Sequence, residues 1–332
     1  MKVRIAINGF GRIGRVFLRS VLNHTNIEVV AINDLSSSEI MSHLFKYDSV
    51  HRTFEGKVSH KIDSIIIDDK PIYYSSISEP EKLPWNDLKV DIVIECTGNF
   101  KTKKLASKHL KAGANKVIIS APPSDSNIKT IVMGVNDGLI DGTEQILSNA
   151  SCTTNSAAPM IQLINNNFGI ESAYITTIHS YTTDQRLHDS PHNDLRRARA
   201  GATSIVPTTT GAAKAITKIF PDLADKMGGC GIRVPVPDGS LTDITCIIKE
   251  ITSVVEINEL FKKAASGPLN GILSYIKDPI VSVDVLGNTH SCIFDSKLTS
   301  VIGKMVKVVG WYDNEVGYSN RLVELVTKIS NV

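Results

Sequence analysis

VRIAINGFGRIG, residues 3–14, is the stretch on which the fold turns. An apolar, β-branched run stops at Asn8, and Gly9, Gly11 and Gly14 follow as G-x-G-x-x-G. That spacing alone is a weak signal, and the surroundings give it weight. GRVFLRSVLN (14–23) carries Val16, Leu18, Val21 and Leu22 at helical spacing, and a second strand-like run, EVVAIND (28–34), ends at Asp34, 20 residues after Gly14. Strand, glycine turn, helix, strand and terminal acid are the context a dinucleotide needs. Gly9 and Gly11 permit a tight turn and close backbone approach, and Gly14 lets the helix pack on the strand. The helix N-terminus meets the pyrophosphate. Asp34 accepts hydrogen bonds from the adenosine ribose hydroxyls and disfavours an extra phosphate there.

The pattern continues with DIVIECTG (91–98) and KVIISAP (116–122), separated by the helix-like KKLASKHLKAGA. Near-continuous apolar strands divided by amphipathic helices indicate a Rossmann-type, doubly wound parallel sheet. Beyond residue 150 the strand-like stretches lengthen and alternate: AYITTIHSYT (173–182), LTDITCIIKEI (241–251), IVSVDVLG (280–287) and MVKVVGWYDN (305–314). Alternation suits a mostly antiparallel sheet with one face packed. VEINELFKKAAS (255–266) and EVGYSNRLVELVTKI (315–329) are expected as helices. The expectation is an α/β chain of two domains: 1–150 for the dinucleotide, with the C-terminal helix 315–332 packing back on it, and 151–314 as an α+β catalytic domain.

Composition narrows the function classes. The chain has 332 residues, 42% hydrophobic and 21% charged, enough for two cores. A formal charge of +2 does not suggest a nucleic-acid partner. No apolar run approaches the ~20 residues of a membrane span, and the start enters a strand without a signal-peptide pattern. Five scattered cysteines without C-x-x-C fit a reducing cytoplasm better than a disulfide framework. His188 and His192 are four apart, but Pro191 between them argues against a metal-binding helix face, and no metal is expected.

SNASCTTNS (148–156) sets Cys152 among hydroxyl and amide side chains. A buried structural cysteine is the commonest kind. Here the neighbours Ser151, Thr153, Thr154 and Asn155 are a poor apolar wall and good helix-capping types, and AAPMIQLINNNFG after them is expected to be helical, with Pro159 in an early turn or at a kink. A thiol at a helix start has its thiolate stabilised by free N–H groups. His179, 27 positions on at the end of an expected strand, is the candidate base; a lone strand histidine is also compatible with a structural role.

NGFGRIGR, SNASCTTNS, TTIHSYTTDQ, DLRRARAGATSIVPTTTGAAKA, RVPVPDGS and WYDNEVGYSNR together resemble the phosphorylating glyceraldehyde-3-phosphate dehydrogenases, in family order from residue 8 to residue 321. The resemblance implies oxidation of glyceraldehyde 3-phosphate with NAD and inorganic phosphate. Cys152 is then the nucleophile and His179 its ion-pair partner and base. The cofactor residues it implies are Gly9, Gly11, Arg12, Ile13, Asp34, Ser120 and Asn314, the last orienting the nicotinamide carboxamide. Thr182 and Arg233 match the substrate-phosphate site; Ser151, Thr153, Thr210 and Gly211 match the inorganic-phosphate site, with Arg197 nearby. The stretch from Tyr181 to about Pro207 corresponds to a loop at the subunit interface, which implies a homotetramer.

Three positions depart from the family pattern. Ser156 stands where a second cysteine is common, Val316 where a tryptophan is usual, and Ser190 precedes Pro191 where leucine is usual in NAD-preferring members. Asp34 and Pro191 favour NAD, while Ser190 opens the ribose pocket enough for some use of NADP. The rivals are an erythrose-4-phosphate dehydrogenase, against which TTTGAAKA (208–215) argues, and a dinucleotide-binding protein whose main role is RNA or partner binding. Arg196, Arg197 and Arg199 lack the interleaved aromatics of a nucleic-acid surface.

Overall fold

The computed structural model describes residues 2–332. The chain forms two compact units: one gathers the chain up to Ile131, Asp137–Ala150 and Ser319–Val332; the other contains Val132–Asn136 and Ser151–Tyr318.

The first unit is built on a nine-stranded sheet. Its strands are β1 (Val3–Asn8), β2 (Ile27–Asn33), β3 (Val58–Lys61), β4 (Ser64–Ile67), β5 (Lys70–Ser75), β6 (Ile92–Glu95), β7 (Lys116–Ile119), β8 (Lys129–Thr130) and β9 (Ile146–Ser148). They lie in the order β8-β9-β7-β6-β1-β2-β5-β4-β3. From β8 to β5 every pairing is parallel, and β4 and β3 extend the edge as an antiparallel hairpin. Ile5, Ala6 and Ile7 are fully buried, as a parallel strand covered on both faces must be. One side of the sheet packs around Ala6, Ala31, Val93, Val117 and Trp85. Helices α1 (Arg12–Val21), α2 (Ser38–Lys46) and α3 (Lys103–Lys111) follow β1, β2 and β6. The Rossmann-type sheet expected from the glycine turn is present.

The second unit holds α4 (Cys152–Phe168), α5 (Ala212–Ile219) and α6 (Val254–Ala265). Its strands are β10 (Ile170–Ser180), β11 (Val206–Thr208), β12 (Met227–Val234), β13 (Ser240–Ile248), β14 (Leu273–Ile276), β15 (Cys292–Asp295), β16 (Ser300–Ile302) and β17 (Met305–Tyr312). The order is β11-β12-β10-β13-β17-β15-β14, with β16 on β17. Only β10–β12 and β14–β15 pair in parallel among these, so the sheet is mostly antiparallel, as its alternation suggested. Along β13 buried and half-buried residues alternate without a break. A last helix, α7 (Val316–Ser330), closes the chain.

One local expectation is corrected. IVSVDVLG (280–287) is not a strand: Ser282–Val285 forms a 3-10 turn. The Asp284 carboxylate accepts from the Val281 N–H at 2.8 Å, a short-range bond that competes with a ladder. Val281 and Val283 are exposed, and the sheet edge beside β15 is taken by β14. Pro159 lies inside the continuous helix α4, in its N-terminal half. Lacking an N–H, it cannot donate the usual bond back to the preceding turn.

Candidate active site

Around the glycine turn, each glycine is required for a different reason. Gly9 has φ 92°, and a Cβ there would lie 2.7 Å from Thr97 N; a Cβ on Gly14 would lie 2.4 Å from the Gly9 carbonyl oxygen. Those two are needed by the fold. Gly11 differs, because a Cβ there would meet nothing within 4 Å. Gly11 is also the N-cap of α1 and offers no side-chain cap. Open space in front of an uncapped helix start suits a pyrophosphate.

Asp34 follows the end of β2 and accepts from Phe10 N at 2.8 Å and Ser36 N at 3.0 Å. It therefore holds the glycine turn itself, with further lone pairs for a ribose. Arg12 is engaged with Asp48 at 2.7 Å. Burial would raise the Asp48 carboxyl, but the N–H groups of His51 and Val50 and the Arg12 guanidinium overcome it and lower it to about 2. Ile13 is half-buried in the first turn of α1. Ser120 follows β7, with its N–H on the Glu95 carbonyl at 3.0 Å.

In the second unit the thiol and the histidine meet. Ser151 is the N-cap of α4, its hydroxyl accepting from Thr154 N at 3.1 Å, which makes Cys152 the first helical residue. Cys152 Sγ lies 3.4 Å from His179 Nε2. His179 is near the end of β10 and Arg233 is on β12, and the parallel register places these two residues side by side. His179 Nδ1 is 2.8 Å from the Ser180 carbonyl oxygen, and Arg233 Nη1 donates to the same oxygen at 3.0 Å. The shared carbonyl brings Nη1 within 2.6 Å of Nδ1.

These neighbours set the protonation. Burial and then the Arg233 charge lower His179 to about 3, against the Ser180 carbonyl and Glu315. Burial pushes the Cys152 thiol up, while Arg233 and the Thr153 N–H pull it back without cancelling the shift. Burial thus favours the uncharged form of both groups, and Arg233 opposes it at the sulfur.

Asn314 lies just beyond β17. Its Oδ1 accepts from Ser180 Oγ at 3.0 Å and Ser240 Oγ at 2.6 Å. Two hydroxyl donors fix the amide orientation and leave the Nδ2 end as the free-facing donor of the group. Thr153 turns its hydroxyl inward to Tyr312 at 2.9 Å, where Thr177 also meets the phenol at 2.9 Å. Thr153 thus meets the core through its hydroxyl, while both its hydroxyl and its N–H bear on the Cys152 sulfur. Thr210 and Gly211 precede α5, and Thr210 Oγ1 accepts from Ala212 N at 3.2 Å. Thr182 is half-buried in a turn closed by Gln185 N on its carbonyl at 2.9 Å.

Arg197 is placed differently from a free phosphate ligand. It pairs with Asp184, lies 3.5 Å from Asp194 and donates to Thr208 Oγ1 at 2.9 Å. It anchors β11 ahead of Thr210. Arg199 pairs with Asp189 at 2.8 Å, so carboxylates of the same loop accompany the arginine cluster. Ser156 is fully buried and accepts from Thr242 Oγ1 at 3.1 Å. Val316 opens α7, its N–H held by Asp313 Oδ1 at 2.7 Å. Sequence reading missed Ser180 and Ser240 as holders of Asn314. Both were visible as hydroxyls within quoted motifs, but only strand register joins them to residue 314.

Comparison with known proteins gives a consistent result over the length of the chain. Residues 3–103 match the family model described as the NAD binding domain of glyceraldehyde 3-phosphate dehydrogenase, and residues 151–314 match that of its C-terminal domain. Glyceraldehyde-3-phosphate dehydrogenase 2 of Streptomyces avermitilis is 52% identical over 334 residues, covering 100% of this chain and 99% of the relative. Glyceraldehyde-3-phosphate dehydrogenase of Mycobacterium avium is 52% identical over 336 residues, 99% of each chain. The Streptomyces coelicolor protein of that name is 51% identical over 335 residues, 100% of this chain and 99% of the relative.

Proposed function

The chain belongs to the glyceraldehyde-3-phosphate dehydrogenase family, and we propose that it is an NAD-dependent oxidoreductase of glycolysis that converts glyceraldehyde 3-phosphate and inorganic phosphate to the acyl phosphate. The observation that carries the chemistry is the 3.4 Å approach of Cys152 Sγ to His179 Nε2, with Arg233 behind the ring. NAD, when bound at the open glycine turn, supplies the acceptor for the hydride of the aldehyde carbon.

The protein's own groups do the rest. In this reading Arg233 Nη1 donates to the Ser180 carbonyl and not to the ring, Nδ1–H donates to that same carbonyl, and Nε2 presents a lone pair to the sulfur. Sγ attacks the carbonyl carbon while its proton moves to Nε2 and on to the new hydroxyl, giving a thiohemiacetal. An imidazolium beside Arg233 is costly, which favours prompt transfer of that proton. Nε2 then takes the hydroxyl proton as the C–H electron pair departs, and a thioester remains. A phosphate oxygen attacks the thioester carbon, and the sulfur leaves with the bonding pair and regains a proton.

Arg233 and Thr182 hold the substrate phosphate in this reading. The start of α5 with Thr210 and Gly211, together with Ser151 and the Thr153 N–H, receives the attacking phosphate. Arg197 acts by fixing the segment before Thr210. Asn314 Nδ2 donates to the nicotinamide carboxamide, and Asp34, Arg12, Ile13, Ser120, Gly9 and Gly11 line the rest of the cofactor. Domains 1–150 with 315–332, and 151–314, divide these tasks. The protein works as a homotetramer, a reading supported by exposed Leu187, Leu195 and Ile205 on the long loop, which another copy would cover. Five free cysteines suit the cytoplasm.

The test is NADH formation by purified protein with glyceraldehyde 3-phosphate, with and without phosphate, against erythrose 4-phosphate. A fast phosphate-dependent rate with the triose, absent in Cys152→Ala, is expected. Preference for the tetrose, or turnover indifferent to phosphate, would overturn the substrate and phosphate assignments.

A further inference from the structure

At the C-terminal ends of β1, β2 and β6, Asn8, Asn33 and Glu95 are all buried and stand in neighbouring register. Glu95 is an acid with only 1% exposure. Among the described residues no lysine or arginine pairs with it; the group facing it is His109 Nε2 at 3.1 Å. The hydrogen-bond directions around it can be worked out. The Trp85 indole N–H can only donate, and it reaches His109 Nδ1 at 3.0 Å. His109 Nδ1 is therefore the acceptor and Nε2 carries the hydrogen, which points to Glu95 Oε2. On the other side, Asn33 Oδ1 is occupied by Ser75 Oγ and Ile77 N, each at 2.9 Å, so Asn33 Nδ2 donates to Asn8 Oδ1 at 2.8 Å. Asn8 Nδ2 in turn donates to Glu95 Oε2 at 2.6 Å.

Both chains of donors end on one carboxylate oxygen. The other oxygen, Oε1, accepts the Thr97 N–H at 2.7 Å and the Thr97 hydroxyl. Thr97 N is the atom against which Gly9 packs, and the loop continues through Gly98, φ 73°, where a Cβ would meet nothing within 4 Å. Gly98 and Gly11 thus both leave open space beside a turn, and Glu95 bonds to the wall behind Gly9.

We infer that Glu95 is a positioning residue for the dinucleotide: its buried carboxylate fixes the Thr97–Gly98 loop against the Gly9 turn and so sets the width of the cofactor cradle. The inference rests on the assignment of NAD to this turn. Glu95→Gln is the decisive variant because it keeps the shape and reverses one set of bonds. Whichever way the amide faces, its NH₂ meets N–H donors, either Thr97 N or Asn8 and His109. His109 cannot switch tautomer without opposing the Trp85 N–H.

The experiment is calorimetric titration of NAD into wild-type and Glu95→Gln protein well below either melting temperature, with circular dichroism to confirm the fold. A Kd for NAD raised roughly tenfold or more is expected, because a buried donor loses its acceptor. The alkylation rate of Cys152 in cofactor-free protein should be unchanged. If Glu95→Gln melts lower yet binds NAD with the wild-type Kd, Glu95 is structural only and the inference falls. Should Glu95→Gln not fold, Thr97→Ala serves instead: it keeps the carboxylate and removes one loop anchor, and an unchanged Kd there also refutes the inference. Failure of the wild-type protein to bind NAD would instead overturn the cofactor assignment.

Discussion

Arg233 Nη1 and His179 Nδ1 lie 2.6 Å apart because both turn to the Ser180 carbonyl. The guanidinium adds to burial in keeping the imidazole neutral, and it is the largest influence lowering the adjacent thiol.

Removing that cation should therefore act on both groups. In Arg233→Ala, the pH midpoint for alkylation of Cys152 by iodoacetamide is expected to move upward, and kcat to fall roughly 10²-fold, the scale of losing a preorganised charge. Arg233→Lys should restore part of the alkylation shift but little of kcat, since one ammonium cannot reproduce the planar fork. Alkylation kinetics against pH check this, and an unchanged midpoint in Arg233→Ala would show that the cation does not act on sulfur.

His179 also leaves a mark on stability. Its folded value of about 3 lies below the ~6.5 of an unfolded histidine, so between these limits the unfolded state binds more protons. Stability must fall as pH drops from ~6.5 toward 3, and this group adds no further change below that. His179→Gln should flatten the decline of melting temperature over that interval, measured by thermal unfolding in a buffer series. An identical slope in the two proteins would contradict a neutral, buried His179.

The glycines of the first turn should separate fold from cofactor. Gly14→Ala drives a Cβ to 2.4 Å from backbone and is expected to lower the melting temperature. Gly11→Ala meets nothing, so it should melt like wild type while weakening NAD binding severalfold. A Gly11→Ala protein that binds NAD normally would place the pyrophosphate elsewhere.

Cofactor choice rests on Asp34, which is tied to Phe10 N and Ser36 N. The wild-type enzyme should prefer NAD and show measurable use of NADP. Asp34→Asn should shift the ratio of kcat/KM toward NADP by roughly tenfold, as one like-charge repulsion is removed. Equal kcat/KM for both cofactors in the wild type would refute the preference.

Much of this was legible in the chain before its coordinates. The glycine turn is readable because its requirements are local: spacing, a strand before it and an acid after the next strand. Cys152 and His179 could be named as candidates, but their proximity depends on a sheet, and their protonation depends on burial that no motif encodes. Arg197 illustrates the limit. The resemblance set it near an anion site, but its pairing with Asp184 and its approach to Asp194 on the same loop could not be read from the sequence. IVSVDVLG alternates like a strand, yet a single bond to Asp284 diverts it. The Asn8–Glu95–His109 network was invisible because its members are far apart in the chain and ordinary in type.

The first unit ends with the final residues of the chain. Leu322, Leu325 and Val326 of α7 are fully buried and belong to the unit that begins with β1. On a ribosome, everything needed for the thiol, the histidine and the arginine has been synthesised by residue 318, whereas the unit started first still lacks part of its core. Its sheet, whose last strand ends at Ser148, must wait through the whole synthesis of the second unit without the buried side chains of α7. Translation order therefore runs against completion order, and the nascent protein's exposure to chaperones should end only when the last helix is released.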